Sequence, residues 1–138
     1  MRPSRIVLAA EVHAALLAAN GAPDAHEPVA MLGGHQRGDT AHVAACPVLP
    51  NVAVHADRFA VEPAAFAAAE ASLRACGLTW LGFAHGHRGG SAAPSCADRA
   101  LLWRDCVQVV VGAEGVRAFW FAGEACLPLP IQVSAVPA

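Results

Sequence analysis

Residues 85–98 read HGHRGGSAAPSCAD, and four side chains there have chemistry that the surrounding Ala, Val and Leu lack. His85 and His87 stand two positions apart at the end of the apolar run LTWLGFA. Positions i and i+2 of a strand project from one face, so both imidazoles can meet a single ion. Ser95 and Asp98 follow a loop of Gly, Ser and Ala, just ahead of RALLWRD, which reads as a helix. In the first turn of that helix Asp98 is able to swing back as a carboxylate ligand. Two histidines, one carboxylate and a water form the open arrangement of a catalytic zinc, and its chemistry is metal-assisted amide hydrolysis. A plainer reading stands beside this one. Ser-x-x-Asp before an apolar helix is also a helix cap with an acidic neighbour, and one H-x-H pair among seven histidines need bind nothing. The two readings are compatible, because Ser95 can cap while Asp98 reaches a metal.

The elements that must position these groups are legible in outline. EVHAALLAAN (11–20), rich in Ala and Leu and followed by Gly21, predicts a helix. VAMLGG (29–34) and TAHVAACPVL (40–49), separated by the polar HQRGD, predict a hairpin or two successive strands. Pro63 to Cys76 opens with proline at a first helical position and closes with Gly77 just beyond, the asymmetry expected of a helix. LTWLGFAH returns to strand-like content, and CVQVVVG with VRAFWFAG predicts a β-pair across an Ala-Glu-Gly turn. The tail LPLPIQVSAVPA has room for one edge strand, since its prolines exclude a central one. Alternating helices and strands in this order predict an α/β class, a mixed β-sheet flanked by helices.

Composition narrows the function classes. The 138 residues suit a single domain spanning 1–138; 56% are apolar and 14% charged, which excludes disorder. A net charge of −2 leaves no electrostatic footprint for nucleic acid. The apolar run Ile6 to Ala10 is cut by Glu11 and His13, so no membrane span or secretory segment is expected. Five cysteines without a C-x-x-C pair argue against a disulfide framework and a four-thiolate zinc site; buried thiols in a reducing, cytoplasmic setting are the expectation.

Taken jointly, H-x-H, seven residues, then S-x-x-D resembles the motif of the JAMM (MPN-plus, JAB-type) zinc metalloproteases: His, Ser or Thr, His, Pro, six residues, then S-x-x-D. His85, His87, Ser95 and Asp98 occupy its positions, with Pro94 before the serine as in many bacterial members. Upstream, PDAHEPVAMLGG places Glu27 at the family's glutamate, with Leu32 and Gly34 in register. NVAVHADRFAVEPAAF resembles the family's Asn, Arg-Phe strand and Pro-initiated helix, so the likeness covers roughly residues 5 to 122. It implies a cytidine-deaminase-like α/β sandwich. It also implies His85, His87 and Asp98 as Zn2+ ligands with water as the fourth, Glu27 as general base and then acid, and Ser95 as the oxyanion donor.

The resemblance further implies a metallopeptidase of the small stand-alone prokaryotic type. It would cut a peptide or isopeptide bond at the Gly-Gly C-terminus of a ubiquitin-like or sulfur-carrier protein; the alternative is a non-catalytic MPN-type module that binds such a partner. The chain departs from the pattern in three places. Gly86 replaces the small hydroxyl residue, which predicts a looser strand end. Arg88 replaces proline and sets a cation near the site, and Val29-Ala30 replaces Cys-Gly in the strand after the glutamate.

Overall fold

The computed structural model describes residues 2–21, 28–53, 60–87, 92, 105–122 and 125–135. The chain opens on a strand, β1 (Arg5–Ala9), and passes without a turn into α1 (Ala10–Gly21). Ile6 and Leu8 of β1 are completely buried, as alternation on a half-covered strand requires. Then follow β2 (Val29–Arg37), β3 (Thr40–Ala45) and the short β4 (Val48–Leu49). After α2 (Pro63–Ala75) come β5 (Thr79–Gly86), β6 (Val107–Gly112), β7 (Gly115–Ala122), β8 (Ala125–Leu129) and β9 (Ile131–Ser134).

The strands form one mixed sheet in the order β8-β7-β6-β5-β2-β3-β1-β9, with β4 also paired to β2. The β1–β3, β1–β9 and β5–β6 pairs are parallel and the remainder antiparallel. The expected hairpins are present. Arg37 pairs with Thr40 across Gly38-Asp39, and Gly112 pairs with Gly115 across Ala113-Glu114. The first turn is fastened to β1, because Asp39 accepts from the Ser4 hydroxyl at 2.7 Å while its carbonyl accepts from the Ser4 amide. That hydroxyl bond is the main reason the Asp39 carboxyl lies below its usual range.

The tail differs from expectation in a way that shapes the whole sheet. It carries two strands, β8 on β7 at one margin and β9 on β1 at the other, with Pro130 alone between them. Leu129 pairs with Ala118 and Ile131 with Ile6, so one extended segment serves both margins and the sheet must curl back on itself. The prolines are compatible with this, since each strand is terminal.

The curled sheet holds α1 on one face. Val12 and Leu16 pack there with Ile6, Leu8, Leu32 and Val109 in the largest core cluster. The opposite face carries α2. Leu73 is its only buried residue and joins Val29, Met31, Leu49 and Phe83 in a second core. The end of α2 is built as the sequence predicts: Gly77 takes φ +76°, its amide donates to Arg74 O, and the Leu78 amide donates to Leu73 O. This paired arrangement satisfies the last carbonyls of the helix and turns the chain straight into β5.

Candidate active site

β5 carries His85 and ends one residue before His87, and its position is fixed by α2 on one face and by a strand along each edge. Phe66 of α2 lies 5.5 Å from Trp80 and 6.0 Å from Phe83 between ring centroids, while Trp80 and Phe83 are 5.8 Å apart and edge-to-face. Rings in this geometry add specific attraction to the area they bury, so α2 clamps β5 beneath the site. β5 is also a central strand, antiparallel to β2 on one side and parallel to β6 on the other. Gly82 makes the second pairing possible, because a β-carbon there would overlap the Val107 backbone.

Phe83, His85 and His87 alternate onto the α2 face at the end of β5, as the spacing predicts. His85 is buried to 2% exposure and His87 is half-buried. Their ring centroids are 5.0 Å apart, with the ring planes at 62°. The backbone around them is fully engaged: the Gly86 amide donates to Pro28 O at 3.0 Å, and the His87 amide donates to Val111 O at 2.7 Å. Two imidazoles on a tetrahedral ion, with Zn–N of about 2.0 Å, place their ring centres roughly 5 Å apart, so this pair fits a shared zinc. Imidazole is also the ligand type that zinc accepts readily.

The remaining expected groups, Glu27, Ser95 and Asp98, lie outside the described residues, as do Arg88 and residues 99–104 of the helix expected over 99–105; Asp105, its last residue, takes φ 57° and is not helical. Among the described residues no set of three or more His, Cys, Asp or Glu side chains converges. Two described residues adjoin these groups in the sequence. Glu27 directly precedes Pro28, whose carbonyl takes the Gly86 amide between the two histidines. Ala92, three positions before Ser95, is buried and its amide donates to the Glu114 carboxylate in the β6–β7 turn.

Gly86 departs from expectation. Its position is tight rather than loose: a β-carbon there would overlap the Asn20 amide oxygen and come within 2.8 Å of Asn20 Cγ and 2.9 Å of Pro28 Cγ. Glycine lets the end of α1 close onto the strand between the histidines. Val29 and Ala30 sit in regular ladder, Val29 opposite His85 and Ala30 opposite Ala84, so this departure leaves the strand pairing intact.

At the strand end, beside α1, is a cavity of about 50 Å3, lined by Ala15, Ala19, Pro28, Cys46, His85 and Gly86 among others. His85 and Cys46 are the polar side chains in an otherwise apolar lining. Nearby, burial pushes the Cys46 thiol up, so it is a poor nucleophile. Sequence reasoning had no means of finding Asn20, whose role arises only where the helix end meets the strand.

Three comparisons bear on this arrangement. A sequence model described as prokaryotic homologs of the JAB domain matches residues 9–122. No curated protein matches. Among solved structures, the solution structure of protein DSY2949 from Desulfitobacterium hafniense superposes with a TM-score of 0.82 at 22% identity, covering 94% of this chain and 92% of that one. A JAB1/MPN domain protein from Archaeoglobus fulgidus superposes with a TM-score of 0.57 at 17% identity, covering 95% and 98%. At these identities the likeness is one of fold.

Proposed function

The chain belongs to the prokaryotic JAB-domain family, and on that premise we propose that it is a zinc metallopeptidase. Its substrate is a peptide or isopeptide bond at the Gly-Gly C-terminus of a ubiquitin-like or sulfur-carrier protein. The observation that carries the reading is the His85–His87 pair, two imidazoles 5.0 Å apart on one face at the end of a central strand. With Asp98 as third ligand the donor set is that of a catalytic rather than a structural zinc, because one position stays open. A zinc held there supplies a Lewis acid for the scissile carbonyl and acidifies water near neutral pH.

The chain's own residues do the rest. Glu27 takes the proton from the attacking water and returns it to the leaving amine, work that requires a carboxylate not itself spent on the metal. The Ser95 hydroxyl donates to the oxyanion of the tetrahedral intermediate, whose negative charge is what a preplaced donor stabilises. The aromatic clamp beneath β5 keeps His85 and His87 in place while substrate binds, and a narrow glycine tail suits docking of an extended peptide. Residues 1–138 act as one domain in this reading, in the cytoplasm; no helix among the described residues is long and apolar enough to cross a membrane.

The test is elemental analysis of purified protein beside Asp98→Ala, followed by cleavage of a sulfur-carrier fusion. About one zinc per chain, lost in the variant, with cleavage abolished by Glu27→Gln while zinc is retained, supports the enzyme. A chain that takes up no zinc when it is supplied yet binds the carrier is the non-catalytic module instead.

A further inference from the structure

His35 and His42 are direct cross-strand partners in the β2–β3 hairpin. Residues directly opposite in an antiparallel pair share a face, with Cβ atoms about 4.5–5.5 Å apart. Ala41 and Val43, on either side of His42, belong to the core around α1, so His42 and its partner face the other way. His35 is exposed and His42 half-buried. Neither ring takes part in any hydrogen bond, ion pair or ring contact among the described residues, which leaves both imidazoles uncommitted. The frame that presents them is firm. Gly34 lies so close to β3 that a β-carbon would overlap the His42 carbonyl, and the Thr79 hydroxyl donates to Gly34 O at 3.0 Å.

We propose that His35 and His42 form a second, solvent-facing binding site for a borderline divalent transition metal, separate from the pair at the end of β5. Imidazole favours Cu2+, Ni2+ and Zn2+ over Mg2+ or Ca2+, and among the first group Cu2+ binds most tightly. Two rings on adjacent strands act as a chelate: once one nitrogen holds the ion, the other meets it at high effective concentration. Water completes the coordination: the hairpin's one carboxylate, Asp39, lies in the turn and accepts from the Ser4 and Thr40 hydroxyls, and no third donor joins the pair among the described residues. The Arg37 guanidinium, two positions along β2 and exposed, stands in solvent that screens its charge, so it moderates affinity without closing the site. Because the pair bridges β2 and β3, a bound ion also ties the hairpin together and stabilises the folded chain by mass action.

The test is calorimetric titration of Ni2+ at pH 7.5 into the full chain carrying His87→Gln and Asp98→Ala, so that the donor set at the end of β5 does not contribute, with Cu2+ electron paramagnetic resonance as the second readout. One nickel equivalent is expected in this background, and it should weaken about a hundredfold when either His35→Gln or His42→Gln is added. The copper spectrum is expected to show two imidazole nitrogens before either hairpin substitution and one after it. Nickel is expected to raise the melting temperature of the background chain and not of the chains with a hairpin substitution added. A nickel equivalent whose affinity is unchanged by both hairpin substitutions, or no nickel binding in the background chain, overturns the assignment.

Discussion

The amide oxygen of Asn20, at the end of α1, lies where a β-carbon on residue 86 would have to stand, between the two histidines at the end of β5. The oxygen is buried and accepts no hydrogen bond from the described residues. Any larger residue at position 86 must therefore displace the Asn20 side chain or the Pro28 ring. Gly86→Ser, which reinstates the hydroxyl residue of the family motif, is expected to cost about 1–3 kcal/mol by overpacking. Asn20→Ala added to it recovers most of that loss. Urea unfolding of the single and double variants checks this, and a serine variant as stable as the wild type would remove Asn20 from the account.

Gly34 and Gly38 make a paired comparison in one hairpin. A β-carbon at Gly34 meets the backbone of His42 and Val43, which no rotamer change relieves, whereas one at Gly38 meets nothing but carries φ +58°. Gly38→Ala is expected to cost about 1 kcal/mol from the left-handed backbone alone. Gly34→Ala should cost several-fold more, by separating β2 from β3. The denaturation midpoints of the two variants give the ratio.

Leu73 is the single buried side chain of α2, 4% exposed against Met31, Phe83 and the backbone of Gly33. Leu73→Ala is expected to destabilise by about 2–4 kcal/mol through lost burial and the cavity left behind. Since α2 clamps the strand bearing the histidines, the same variant should hold zinc less tightly at temperatures where it remains folded. A chelator competition assay reads that effect.

Cys106 should show itself at alkaline pH. Burial pushes its thiol up to about 11 from an ordinary value of 9.0, with a smaller opposing pull from Gln108 and a raising contribution from Asp105. The folded chain therefore binds more protons than the unfolded one between those values, so stability falls as pH rises from about 9 through about 11. Cys76, exposed at the end of α2, should react with a thiol reagent at pH 8 while Cys106 does not. Mass spectrometry of the labelled protein decides it.

How far the fold was legible depended on how locally each element was specified. α2 and the β6–β7 hairpin carry their own punctuation: proline and glycine at the helix ends, and a short turn between valine-rich strands. H-x-H at a strand end carries its geometry in its spacing, and His85 and His87 do share a face. β1 has no such marks. Ile6 and Leu8 alternate correctly, but Ala9 runs into Ala10 of the helix with no Gly or Pro between them. The two strands of the tail were concealed by Pro128 and Pro130, which are tolerated only because the sheet ends there, a property of topology and not of the segment. The tightness at Gly86 was hidden for a related reason: its neighbour Asn20 is sixty-six positions away.

The join at Pro130 has a bearing on how the chain comes into being. β1 is made early, yet on the flank away from β3 its ladder waits for Ile131, 125 positions later. During vectorial synthesis that flank stays bare until the final strand emerges, and an unpaired strand is a template for unwanted association. Closure therefore waits on β9, whose arrival draws shut the seam along β1. Deleting the segment from Ala125 to Ser134 would expose two margins at once, β7 on one side and β1 on the other. A shortened chain of that kind should gather into aggregates even with His85 and His87 untouched.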